Sequence, residues 1–216
     1  MGFVPYDELP RVKNPARGFL ATANNRVTPP SYPHPTPGRY SLYRAERLFE
    51  ALPAGAPHDI ESFSSLQNDV SSTLARDLLV AIRRSRPQTP SGRAAQARLD
   101  SWDGVLRAEG PEALIYATWF RAVHRRLFAD ELGAAWRPEA KPVLLEAALL
   151  GAEGRWCDDQ STPNRESCSE VVGRALDDAA AELEAAHGAD MATWSWGAVH
   201  QAVYAHRLLG RIPGLG

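Results

Sequence analysis

The 216-residue sequence contains no apolar run approaching the ~20 residues of a membrane span. Met1 to Pro10 has neither a basic start nor an apolar core, so no secretory signal is expected and the chain as written stays where it is made. A basic excess is also missing. Lys and Arg number 24 against 26 Asp and Glu, a net charge of −2. Nucleic acid is therefore excluded as the main partner, because neutralising phosphates needs a clear surplus of cations. The pairs Arg83-Arg84 and Arg125-Arg126 fall on expected helices and read as solvated faces. Cysteine is scarce: Cys157 and Cys168 are the two in the chain, and no nearby Cys or His completes a four-ligand zinc set. They flank a short polar stretch, which fits either a local disulfide in an oxidising compartment or two reduced thiols. No internal repeat or low-complexity segment is present.

Proline is abundant in one place. Eight of the 17 prolines (Pro5, Pro10, Pro15, Pro29, Pro30, Pro33, Pro35 and Pro37) lie in residues 1–40, which cannot form a continuous helix. One apolar window survives there, Gly18-Phe19-Leu20-Ala21-Thr22-Ala23, and it predicts a short strand. Asn24-Asn25 follows and ends it, since Asn tolerates turn and left-handed geometry.

From about residue 40 the apolar spacing becomes helical. Tyr43, Arg47, Leu48, Ala51 and Leu52 suit a short helix. Ile60, Phe63, Leu66, Val70, Leu74, Leu78 and Ile82 then recur at steps of three and four and predict one long helix, capped by His58-Asp59 and closed by Arg83-Arg84. Further helices are expected over 92–102, over 111–133 with Gly133 as the stop, over 138–150, over 166–187 with Gly188 just beyond, and from Trp194 to Val203. No alternating pattern appears after residue 40. The expected fold is mainly α: an extended, proline-rich arm carrying one short strand (1–40), then a helical domain of six to seven helices (41–216). The Trp residues read as core.

Several strings are specific. The arm reads Leu9-Pro10-Arg11-Val12, Asn14-Pro15, then Gly18 to Asn25 as above. Tyr43-Arg44-Ala45-Glu46-Arg47-Leu48 follows, then Leu66-Gln67-Asn68-Asp69-Val70-Ser71-Ser72, Leu99-Asp100-Ser101-Trp102-Asp103-Gly104 and Trp196-Gly197-Ala198-Val199-His200. Together, in this order, they resemble the penicillin acylase (penicillin amidase) family of N-terminal-nucleophile hydrolases. The Trp156-Cys157-Asp158-Asp159 to Cys168 loop is similar to a subset of these acylases. Family members are typically exported to the periplasm or outside the cell, which would supply the oxidising compartment for a disulfide.

The resemblance implies hydrolysis of linear amides of N-acyl substrates, such as β-lactam side chains or acyl-homoserine lactones. In the family a Ser exposed by self-cleavage attacks the amide, with its own α-amine as base. Preorganised donors then stabilise the oxyanion, and an Asn amide supplies an N–H without a charge. By motif that donor is Asn24, with Asn25 orienting or closing the turn. Arg44 falls where it can hold the Asn24 carbonyl oxygen, and Arg47, one turn on, is an alternative for that role. Gln67 and Asp69 read as a polar network within the long helix. Asp103 and His200 read as a capping acid and a buried histidine, not as an acid–base pair. No cofactor is implied.

The sequence also departs from the family. Met1-Gly2 offers no nucleophilic side chain at the start, and the residues 31–37, where a calcium-binding member would place a carboxylate, contain no acid. No metal ligand is therefore expected. The chain is expected to be a part of an acylase that carries the Asn but not the Ser, with the rest of the acylase as its partner. The alternative is a helical interaction module derived from the family. An arm without its neighbouring strands is expected to be poorly anchored or to pair as an edge strand with another chain.

Overall fold

Short polar caps set most of the helix boundaries. The computed structural model describes residues 3–34, 41–52, 57–139, 141–151, 154–202 and 204. Among them it is mainly helical: α1 (Tyr43–Ala51), α2 (Ile60–Gln67), α3 (Thr73–Arg83), α4 (Pro90–Asp100), α5 (Glu112–Leu132), α6 (Pro142–Leu150), α7 (Cys168–His187) and α8 (Trp196–Val199). Asp59 starts α2 with a capping box, its side chain accepting from the Ser62 amide while Ser62 returns a bond to the Asp59 amide. Ser167 and Glu170 do the same for α7. Proline sits in the first turn of α4 and of α6, where its missing N–H costs nothing. At the far ends of α5 and α7, Gly133 and Gly188 take positive φ values of 47° and 86°.

Three expectations are corrected. The long helix over 60–82 is two helices, α2 and α3, which raises the number to eight among the described residues. Polar side chains unwind it from residue 68 to residue 72. Asn68 Nδ2 donates to the Ser64 carbonyl at 2.9 Å, Asp69 Oδ1 accepts from the Ser71 amide at 2.8 Å, and Ser72 Oγ caps the Ala75 amide at 3.1 Å. Such local bonds compete with the helix ladder. The backbone also pairs elsewhere: Ser72 N donates to Gly104 O and Leu106 N to Val70 O, both at 2.9 Å, around a Ser71–Val105 bridge. Val70, read as part of the apolar stripe, is exposed.

The strand over 18–23 does not form, and no strand is present among the described residues. Gly18 has a φ of 78°, its amide bonding to Pro15 O at 2.9 Å, and the Arg17 Nε donates to Phe19 O at 3.1 Å. These are local bonds. Among the described residues no extended segment pairs with the arm to supply a ladder. Leu20 and Val27 remain exposed. The expected last helix is shorter, Trp196–Val199, and Val203 lies outside the described residues.

The core is the contact of α5 with α7, flanked by α3 and α4. Trp119 on α5 is fully buried and its Nε1 donates to Val172 O of α7 at 3.3 Å. Leu78, Ile82, Leu99, Ile115 and Leu176 fill the space around it. Gly173 lets α7 approach the backbone of Arg86, where a Cβ would collide. Asp177 accepts from the Thr89 hydroxyl at 2.7 Å and from the amides of Gln88 and Thr89. Cys157 and Cys168 form a disulfide that ties the turn before the polar loop to the first turn of α7. Trp102 and Trp194 are buried as well, and Trp136, Trp156 and Trp196 pack against the core. No helix among the described residues is long and apolar enough to cross a membrane.

Candidate active site

The arm meets the helical domain at Asn24. Asn24 has a φ of 59°, the left-handed region, which Asn adopts more readily than most side chains. Asn25 closes the turn beneath it. Its Oδ1 accepts from the Ala23 amide at 3.0 Å and the Thr22 hydroxyl at 3.4 Å, and its Nδ2 donates to Arg26 O at 3.2 Å.

Helix α1 supplies the next layer. Arg44 Nη2 donates to Asn24 Oδ1 at 3.0 Å and to Ala23 O at 3.1 Å. A guanidinium has no acceptor, so this contact fixes which end of the Asn24 amide faces it. The Nδ2 end is left to point away as a free donor, and Asn24 is exposed. Arg47, one turn further on, takes different partners. Its Nε donates to Asp69 Oδ2 at 2.6 Å and its Nη1 to Glu50 at 3.1 Å. Glu50 in turn accepts from Arg76 Nη2 at 2.7 and 2.9 Å. Burial alone would raise the Asp69 carboxyl, but the Ser71 contacts and Arg47 outweigh it and hold it below the ordinary value. The hydrogen bond to Asp69 pushes the Arg47 guanidinium up, and Arg76 holds Glu50 down.

Part of this arrangement lines a cavity of about 580 Å³ between residues 22–24 of the arm, α1 and residues 66–73. Asn24, Arg44, Arg47 and Asp69 all border it. Gln67 does not: it ends α2 and is exposed, and Asp69 lies in the connection after α2 and not inside a helix. Tyr43 is a lining residue that its motif alone did not single out. Its hydroxyl donates to Glu146 of α6 at 2.5 Å, and its carbonyl accepts from the buried Thr73 hydroxyl at 3.2 Å. Burial and the Glu146 carboxylate push that phenol well above its ordinary value. No sequence spacing links residues 103 positions apart.

Asp103 and His200 lie outside this cavity. Asp103 accepts from the Val105 amide and pairs with Arg107, at 2.8 Å on the shorter contact. His200 is not buried as expected: it is exposed and stacks on Trp196, with ring centroids 4.3 Å apart. Trp196, half buried against the core, offers its ring at the edge. Residues 31–34 carry no carboxylate, residues 35–37 lie outside the described residues, and no three metal-ligating side chains converge among the described ones.

Comparison with known proteins gives this geometry a context. The family profile described as penicillin amidase matches residues 1–216. The acyl-homoserine lactone acylase QuiP of Pseudomonas putida is 31% identical over 91% of this chain and 27% of its own length. The enzyme of the same name from Pseudomonas aeruginosa is 29% identical over 88% of this chain and 26% of its own. The penicillin acylase 2 proenzyme of Pseudomonas sp. strain SE83 is 25% identical over 98% of this chain and 28% of its own. A solved structure, the thermostable penicillin G acylase from Alcaligenes faecalis, superposes with a TM-score of 0.63 at 20% identity, over 90% of this chain and 41% of that one. The chain thus spans about a quarter of the length of the curated relatives it matches. With a match over its whole length, the chain belongs to the penicillin amidase family.

Proposed function

We propose that this chain is the oxyanion-side portion of an acylase that hydrolyses linear amide bonds of N-acyl substrates. Asn24 donates an Nδ2–H to the developing oxyanion, Arg44 aims it, and Asn25 fixes the turn that carries it. The nucleophilic Ser comes from another portion of the acylase, which covers the arm and completes the cavity. The intact enzyme is exported to the periplasm or beyond, where the Cys157–Cys168 disulfide is stable.

The observation that carries this reading is the Arg44–Asn24 bond of 3.0 Å. A turn-shaping Asn would spend its carbonyl on its own backbone, as Asn25 does. Asn24 instead gives its carbonyl to a cation held on a different element and keeps its N–H free. A preorganised neutral donor of this kind stabilises negative charge that appears only in the transition state. The names of the relatives, acyl-homoserine lactone acylase and penicillin acylase, support a reading in which the substrates are N-acyl amides.

The test joins this chain with the nucleophile-bearing remainder of its acylase and follows a chromogenic phenylacetyl amide and an acyl-homoserine lactone. Asn24→Ala is expected to lower kcat by roughly 100- to 1,000-fold while circular dichroism stays unchanged. An Asn24→Ala enzyme that turns over both substrates at the wild-type rate would rule the reading out.

A further inference from the structure

The cavity holds two cations and one carboxylate, which raises the question of why Arg44 chooses a neutral amide. Among the described residues lining it, Asp69 is the one acid; Arg44 and Arg47 border the same cavity, and Asp69 is paired with Arg47. The two arginines are three residues apart on α1, so their Cβ atoms are neighbours at roughly 5–6 Å. A carboxylate adds the attraction of a full opposite charge to its hydrogen bond with a guanidinium, which a neutral amide carbonyl lacks, so a bare carboxylate outcompetes an amide carbonyl for it. Asp69 is not bare. Arg47 Nε and Nη2 grip Oδ2 side-on at 2.6 and 2.5 Å, and the Ser71 amide takes Oδ1 at 2.8 Å. Its side chain is only 15% exposed, so water competes poorly for what remains.

We propose that Arg47 is a positioning residue that occupies Asp69 and so leaves Arg44 on Asn24. This rests on the reading of Asn24 as the oxyanion donor, but it concerns how the amide is held and not whether it reacts. Glu50 and Arg76 steady Arg47 from behind, with Glu50 accepting from both arginines. Without Arg47, Arg44 turns along α1 to Asp69, and the Asn24 amide loses its orientation although both residues are still present.

This partition predicts an asymmetry that a purely structural Arg47–Asp69 pair would not show. If the pair only braced α1, removing either partner would disturb Asn24 equally. In the partition, Arg47→Ala frees Asn24, Asp69→Asn does not, and the double variant Arg47→Ala/Asp69→Asn restores the wild-type arrangement. The experiment reads the side-chain amide signals of isotope-labelled asparagine in NMR spectra of the full chain. Asn24 is assigned by its loss in Asn24→Ala, and the released position is defined by Arg44→Ala. The expected result is an Arg47→Ala signal at the released position, with the Asp69→Asn and double-variant signals at the wild-type position. An Arg47→Ala signal that does not move, or a double variant that stays released, overturns the proposal. Should Arg47→Ala not fold, the other two variants still decide, since displacement of Asn24 in either one is incompatible with the partition. Because no turnover is read, failure here leaves the acylase assignment to its own assay.

Discussion

The Nη2 of Arg44 bonds to the side chain of Asn24 and to the carbonyl of Ala23 at once, at 3.0 and 3.1 Å. One nitrogen therefore fixes both the amide and the turn that presents it. Arg44→Ala removes both contacts. A hydrogen bond to a charged group is worth about 1.5–3 kcal/mol, which translates to roughly a 10- to 100-fold loss in kcat for the assembled acylase. If Asn24 has the proposed oxyanion role, the KM should move much less, because the bond then orients a transition-state donor and does not touch the acyl group. Steady-state kinetics of Arg44→Ala beside Asn24→Ala measures this, and a loss expressed only in KM would contradict it.

The Cys157–Cys168 disulfide closes a short loop, with the two positions 11 apart in sequence. The chain-entropy argument assigns about 3 kcal/mol to a loop of this order. Cys157→Ser/Cys168→Ser is expected to lower the Tm by roughly 6–12 °C, at ~2–4 °C per kcal/mol for a chain of this size. The loss should be the same as that caused by a reductant acting on the wild type. Calorimetry with and without the reductant compares the two.

Gly173→Ala sets two effects against each other. Alanine in a helix interior gains about 1 kcal/mol over glycine. A Cβ at this position runs into the backbone carbonyl of Arg86, which has no rotamer to yield. Overpacking costs about 1–3 kcal/mol and wins, so urea denaturation should show a lowered midpoint with an unchanged slope.

Asp69 gives a pH dependence of known sign. Its folded carboxyl titrates below the ordinary value. Its contribution to stability is therefore complete above the unfolded value of about 3.9 and disappears as the pH falls through the lower folded value. The stability difference between the wild type and Asp69→Asn should be constant near neutrality and shrink below about pH 4. Urea midpoints across that range check it. A difference that grows on acidification would mean the carboxyl is not held by its partners.

Sequence reading worked where a signal is local. The helix expected over 166–187 with Gly188 just beyond matches α7 within two residues, and in the structure the Ser167–Glu170 capping box and Gly188 bound it, each acting on its own turn. It failed at residues 68–72, where helical spacing continued but Asn68, Asp69 and Ser72 had better local bonds and Gly104 offered a backbone partner. It failed again over 18–23, since β composition needs a neighbouring strand before it becomes a strand. At the site, family motifs brought Asn24 and Arg44 to notice, but the division of labour between Arg44 and Arg47 was invisible. Both lie on the same turn-to-turn spacing, and only Asp69, folded in from another element, distinguishes them.

The positive φ of Asn24 narrows what evolution or an engineer can place there. Two filters act on one position. Glycine and aspartate pass the backbone filter, but the first has no side-chain donor and an ionised carboxylate would repel the oxyanion of the proposed reaction. Glutamine passes the donor filter, yet it accepts the left-handed turn less readily and carries its amide one carbon too far. Drift at this residue is therefore close to all-or-none, and tuning of such an acylase has to come from the residues around Asn24.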